Sequence, residues 1–81
     1  MFTKIHQPIA VTGVYRRSGF IPRAFLWRDD QYRVEQVTFQ TDFKDGDRKK
    51  RFYAVESGGN LYRLLFDRED ESWFLEEVWC E

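Results

Sequence analysis

The sequence predicts an all-β domain: a six-stranded antiparallel meander, strongly coiled or closed as a small barrel. Three observations predict it. The segment Phe25-Leu26-Trp27-Arg28-Asp29-Asp30-Gln31-Tyr32-Arg33-Val34 sets two aromatic and β-branched runs around a short polar turn. Centred on Asp29-Asp30, it pairs Trp27 with Tyr32 and Phe25 with Val34, a cross-strand ladder of the kind that stabilises antiparallel sheets. Short strand-like runs then follow one another with turn signals between them, among them Asp45-Gly46 and Gly58-Gly59. Finally, both faces of the C-terminal hairpins are apolar, which a flat sheet with one wet face does not tolerate.

The elements follow in order. Residues 1–8 read as a loose N-terminal tail ahead of a first strand at 9–16. Gly13 inside that strand marks a bulge or a close backbone approach. Arg17-Ser18-Gly19 is a turn, and residues 20–28 form the second strand. Pro22 lacks a ladder donor, so its end of the strand belongs at an edge or a bulge. The third strand runs from Gln31 to about Phe43. Tyr32 and Val34 lie on one side of it and Val37 and Phe39 on the other, a switch that requires a bulge near Gln36 or a sharp coil. Asp45-Gly46 turns the chain into strand four, about Arg48 to Glu56. Gly58-Gly59 supplies the positive φ of a tight hairpin, and strand five follows from Leu61 to Phe66. Asp67 to Glu71 is a charged loop before strand six, Ser72 to Trp79. Glu69–Glu77 contains good helix formers, but Trp73, Phe74, Val78 and Trp79 favour a strand.

Registered on Gly58-Gly59, strands four and five pair Val55 with Tyr62 and Tyr53 with Leu64. Phe66, Trp73 and Leu75 join that face. Phe52, Ala54, Leu61, Leu65, Phe74 and Val78 fall on the other. The Trp27–Tyr32 hairpin then reads as one wall of a core shared with Tyr53, Val55, Tyr62 and Leu64. Either barrel closure, a covering segment or a partner must shield the second face.

At 81 residues the chain is a single domain near the lower limit for a core without staples. Its 19% aromatic content supplies a dense core. Cys80 is the one cysteine, so the chain forms no internal disulfide and no cysteine-based zinc site. That usage points to a reducing compartment. Met1–Pro8 carries no signal-peptide run, and no segment approaches the roughly 20 apolar residues of a membrane span. The expected location is cytoplasmic, with no membrane association. The net charge of −1 conceals an asymmetry: residues 1–51 hold 11 Lys and Arg against 6 Asp and Glu, and residues 52–81 hold 2 against 8. Either the halves pair with each other in the fold or the separation serves recognition.

Little in the chain points to catalysis, and the expectation is a protein that is not an enzyme and holds no cofactor or metal. His6 is the only histidine and lies in the expected tail, far from any triad pattern. Asp67, Glu69, Asp70 and Glu71 lack calcium-loop spacing. Each glycine is accounted for by a turn or bulge rather than a phosphate cradle. Binding is better supported. Arg48-Lys49-Lys50-Arg51 is a basic run followed by Phe52-Tyr53, and Arg28 and Arg33 flank Trp27 and Tyr32. Cations interleaved with rings suit single-stranded nucleic acid, where phosphates meet charge and bases stack. An isoelectric point near 5.8 weighs against a dedicated nucleic-acid binder. The competing reading has the arginine stems covering sheet rings while their heads pair with carboxylates. Two apolar faces and free strand edges also suit a protein partner or a homodimer.

The spacing Phe25-x-Trp27-Arg28, Tyr32-x-Val34, Arg51-x-Tyr53-x-Val55 and Trp73-x-Leu75-x-x-Val78-Trp79 resembles a small bacterial family, domain of unknown function 6504. The resemblance covers roughly residues 20–79. It implies a compact all-β domain with no established activity and no catalytic residues to carry over. Some members resemble accessory proteins beside genes for error-prone DNA synthesis, which implies a DNA-repair context. The acidic second half of this chain departs from the arginine-rich character of those members. The sequence therefore predicts an accessory binding domain engaging a protein partner or itself. The alternative is a single-stranded nucleic-acid binder using Arg48, Lys49, Lys50, Arg51, Trp27 and Tyr32.

Overall fold

The computed structural model describes residues 1–80, which contain seven strands and no helix. They are β1 (Phe2–Arg16), β2 (Gly19–Trp27), β3 (Asp30–Arg33), β4 (Gln36–Asp45), β5 (Arg48–Ser57), β6 (Asn60–Asp67) and β7 (Ser72–Trp79). All neighbouring pairs are antiparallel, in the order β3-β2-β1-β7-β6-β5-β4. The sheet is open, a half-barrel with β3 and β4 at its edges.

The seventh strand arises where a single third strand was expected. Tyr32 and Val37 both pack against the core, and alternation cannot place them there along one straight strand. The chain leaves the ladder at Val34-Glu35 instead, ending β3 at one edge and starting β4 at the other. The Val34 amide donates to the Arg23 carbonyl on β2, and the Glu35 amide donates to Glu56 on β5, each at 2.8 Å. The two edges therefore meet at this end. No ladder joins β3 to β4, so the sheet curls without closing.

Residues 2–8 are not a loose tail. Phe2–Ile9 pairs with β7, and Ala10–Arg16 pairs with β2, so β1 is the corner of the fold. The ladder with β7 skips Ile5 and His6 between Lys4 and Gln7, and His6 takes φ 49° there. Ile5 and Ile9, an even number of residues apart, both pack on the core side. On the other side of β7 the register shifts between Arg63 and Leu64. That shift turns Val78 inward, correcting its expected place on the outer face: it is a buried member of the core.

The β2–β3 hairpin also differs in register. Its turn is Arg28-Asp29, both at positive φ, with Trp27 opposite Asp30 and Phe25 opposite Tyr32. The pairing slides by two residues from the expected one, an even slip that leaves every side chain on its face. Phe25 stacks on Tyr32 with centroids 5.0 Å apart and meets Tyr62 edge-on at 5.2 Å across the interior. The β5–β6 hairpin has the expected register, Val55 on Tyr62 and Tyr53 on Leu64, around Gly58 and Gly59, both at positive φ. The core is Phe25, Val34, Tyr53, Val55, Tyr62, Leu64, Leu75 and Val78.

Gly13 sits at a register shift opposite Pro22, as its position in the sequence predicted. A Cβ there would stand 2.2 Å from the Ile21 carbonyl oxygen and 2.9 Å from the Pro22 Cα. Both neighbours are backbone and cannot yield locally. Gly13→Ala is expected to lower stability by about 1–3 kcal/mol or more, the usual range for overpacking. Gly58→Ala, with open space around it, strains only its φ of 56° and costs less. Urea midpoints of the two variants check the order.

Candidate functional site

Strand alternation splits the basic run. Arg51 shares a face with Tyr53 and Val55, whereas Lys50 shares the outer face with Phe52. Carboxylates neutralise three of the four cations. The Arg48 Nε donates to Asp67 Oδ2 at 2.9 Å, and its guanidinium also reaches Asp70. Lys50 Nζ donates to Asp45 Oδ2 at 2.9 Å. Arg51 forms a two-pronged pair with Asp42, which also lies 3.5 Å from Arg68 Nη1. Lys49 alone of the four has no ion pair among the described residues.

Trp27 and Tyr32 lie on β2 and β3, separated from the β5 run by β1, β7 and β6 in the sheet order. They are half-buried wall rather than a stacking platform. The Trp27 indole donates to Gln7 Oε1 at 2.7 Å, while Arg28 covers its ring at 4.5 Å. Tyr32 packs on Phe25, Trp27 and Tyr62, and desolvation, then Tyr62, raises its hydroxyl pKa. The structure thus does not gather the six candidate residues into one surface.

At the open end of the half-barrel, Tyr15, Phe20, Tyr53 and Trp73 line a cavity of about 370 Å³ with Arg51 and Arg68 at its rim. The Tyr53 hydroxyl donates to the Phe20 carbonyl at 3.3 Å, tying β5 to β2 across the mouth. Asp42 faces both arginines, and Glu71 lines the same cavity, so its charges are balanced.

The outer face carries a different pattern. Cross-strand pairing lines up Phe52, Leu65, Phe74 and Pro8 in one apolar row over β5, β6, β7 and β1. Flanked by two rings, outward-facing Leu65 is only 6% exposed. Phe43 extends the row by stacking on Phe52 at 4.9 Å, and the His6 ring stacks on Phe74 at 5.2 Å. The His6 Nδ1 hydrogen-bonds Glu76 at 2.8 Å. Beside the row, Phe39 stands 59% exposed on the edge strand β4. The ladder skips Thr38 just before it, and the Thr38 hydroxyl donates to the Ala54 carbonyl. Phe39, Phe52, Ala54, Leu61 and Arg63 line a shallow groove of about 360 Å³. Sequence alternation sets Phe52, Leu65 and Phe74 on the face away from the core wall, and Phe39 on the side away from Tyr32 and Val34. It puts Val37 with Phe39, however, and assigns Phe43 to neither face. The skipped Thr38 separates the pair, with Val37 on the core and Phe39 outward.

Among the described residues, no helix is long and apolar enough to cross a membrane, and no three His, Cys, Asp or Glu side chains come together to hold a metal ion. Compared with known protein families, curated proteins and solved structures, the chain gives no match in any of the three.

The ion pairs set an acid limit. The hydrogen bond from Arg48 holds the Asp67 carboxyl below its ordinary value, and that from Arg51 does the same for Asp42. The unfolded chain therefore takes up these protons more readily than the folded one. The stabilisation is complete above the unfolded value of about 3.9 and is lost as pH falls through the lower folded values. Asp67→Asn keeps the Oδ1 that accepts from the Glu69 and Asp70 amides but removes the anion. Urea unfolding from pH 6 down to about pH 2 is expected to show a shallower acid loss in this variant.

Proposed function

We propose that this chain is a non-enzymatic accessory domain that engages protein, a partner or a second copy of itself, through the outer face of its half-barrel. The carrying observation is the outer row Phe43, Phe52, Leu65, Phe74 with the exposed Phe39 beside it. These rings stand outside the core cluster, with Phe43, Phe52 and Phe74 half-buried around Leu65 and Phe39 exposed beside them. Apolar side chains gathered on the outer face of a small domain mark an interaction site. Aromatic side chains are the usual anchors of such contacts. The lone Cys80 fits a cytoplasmic setting.

Single-stranded nucleic acid is the second reading, with the DNA-repair context that the family resemblance implies. Binding phosphate through the basic run would first require displacing Asp67, Asp45 and Asp42 from Arg48, Lys50 and Arg51. That competition favours protein over nucleic acid.

Phe39→Asp tests the proposal. The side chain is exposed, so the substitution is expected to shift stability by no more than about 0.5 kcal/mol. It is expected to abolish association with protein, read by sedimentation of the pure chain and by retention of native-cell proteins on the immobilised chain. Equal association by wild type and variant would refute the use of this face. A salt-sensitive oligonucleotide isotherm that weakens in Lys49→Ala would favour the nucleic-acid reading instead.

A further inference from the structure

We infer that two copies of this chain pair through their β4 edges about a two-fold axis at Thr41, continuing one sheet across the dimer. The inference deepens the proposed use of the outer face by naming its occupant. Strand β4 is ten residues long and lies last in the sheet. The turn after it has two residues, Gly46 and Asp47, with Asp45 opposite Arg48. Such a turn is closed by a hydrogen-bonded pair, and antiparallel alternation then sends the amides and carbonyls of Lys44, Asp42 and Gln40 away from β5. These groups form a ready template for another strand.

The sequence of β4 is complementary to itself in one register. Pairing about Thr41 sets Gln40 against the second copy's Asp42, with both exchanging outward-facing backbone groups. It then sets Phe39 against the second copy's Phe43, and Phe43 against its Phe39, on the outer face. These are non-hydrogen-bonded positions, where facing side chains approach most closely. Phe43 already stacks on Phe52, so the pairing would extend the row Phe52-Leu65-Phe74 across both copies. Pairing about Asp42 sets two aspartates face to face. Pairing about Gln40 sets Phe39 against Thr41 and leaves Phe43 against the Val37–Phe39 irregularity. An axis at Phe39 or at Phe43 matches one ring to its own copy and leaves the other without a ring opposite. The Thr41 register alone pairs both rings of each copy. Asp42, a charge that would otherwise discourage pairing, is turned to Arg51 and Arg68.

Sedimentation of the full chain over rising concentration tests the inference. The expected mass is twice 9.9 kDa. Gln40→Pro removes an amide that points to the free edge, so the monomer fold survives by circular dichroism while the dimer is lost. In a Cys80→Ser background, Thr41→Cys is expected to form a disulfide-linked dimer on oxidation, because the residue faces its own copy. Gln40→Cys, facing Asp42, is expected not to. If Gln40→Pro fails to fold, the Thr41→Cys and Gln40→Cys comparison decides. A wild type that stays monomeric overturns the inference. So does equal cross-linking of the two cysteine variants, or a folded Gln40→Pro variant that remains dimeric. A dimer lost in Phe39→Asp but kept in Gln40→Pro overturns edge pairing while the outer face stands as a protein-binding surface.

Discussion

The fold depends on a two-residue joint. Arg33 ends one edge strand and Gln36 begins the other, with only Val34 and Glu35 between them. Three virtual bonds of the chain span at most about 11 Å. Seven strands laid flat would hold their edges roughly 28 Å apart. The sheet therefore cannot be flat, and its curl is a requirement of connectivity before any side chain is considered. The joint is fixed from three sides. The Val34 and Glu35 amides donate to β2 and β5, and Glu35 Oε1 accepts from the Gly58 amide in the β5–β6 turn. Val34 itself is buried in the core. The curl brings Phe25 of β2 against Tyr62 of β6, an aromatic contact between strands that are not neighbours in the ladder.

The same constraint accounts for what the sequence disclosed. Four of the seven strands, β2, β5, β6 and β7, lie close to where apolar patterning and turn residues put them, while β1 starts seven residues before its expected position. The β5–β6 register follows from Gly58-Gly59 because local turn geometry sets it. The β2–β3 turn was harder to locate. Arg28 and Asp29 occupy positive φ without a glycine to mark the position, so the polar centre of the segment was a poor guide. The split of β3 from β4 left a trace in the face switch between Val34 and Val37. Choosing between a bulge and a change of edge needs the long-range order of strands, which no local pattern carries. The pairing of residues 2–8 with β7 is equally non-local. His6 adopts φ 49° at the irregularity in that ladder, a position that no local residue pattern marks.

The candidate binding residues show the corresponding limit for function. Four consecutive basic residues look like a cationic surface when read along the chain. In a strand they alternate between faces, and here three of the four, Arg48, Lys50 and Arg51, find separate carboxylates. Asp45 and Asp42 come from the preceding strand of the hairpin, while Asp67 and Asp70 come from the end of β6 and the loop after it. The charge asymmetry between the two halves of the sequence is thus partly answered within the molecule. Arg48 meets the acidic second half, and Lys4 lies opposite Glu77 in the β1–β7 ladder.

The rings divide into two populations that answer to different physics. Phe25, Tyr53 and Tyr62 fill the concave side, with Trp27, Tyr32, Phe66 and Trp73 packed around them. That set closes a small interior, and a core of this size has no room for the rest. Phe39, Phe43, Phe52 and Phe74 stand on the convex side, where a polar face would satisfy the fold equally well. Burial of the core explains the first population and says nothing about the second. Ring stacking and the flanked Leu65 organise the outer row into a continuous apolar strip rather than scattered exposed residues. Both the strip and the unpaired β4 backbone lie toward the same edge of the sheet. A surface that offers unpaired hydrogen-bonding groups and aromatic anchors side by side suits an added strand. The self-complementarity of β4 gives that strand a sequence.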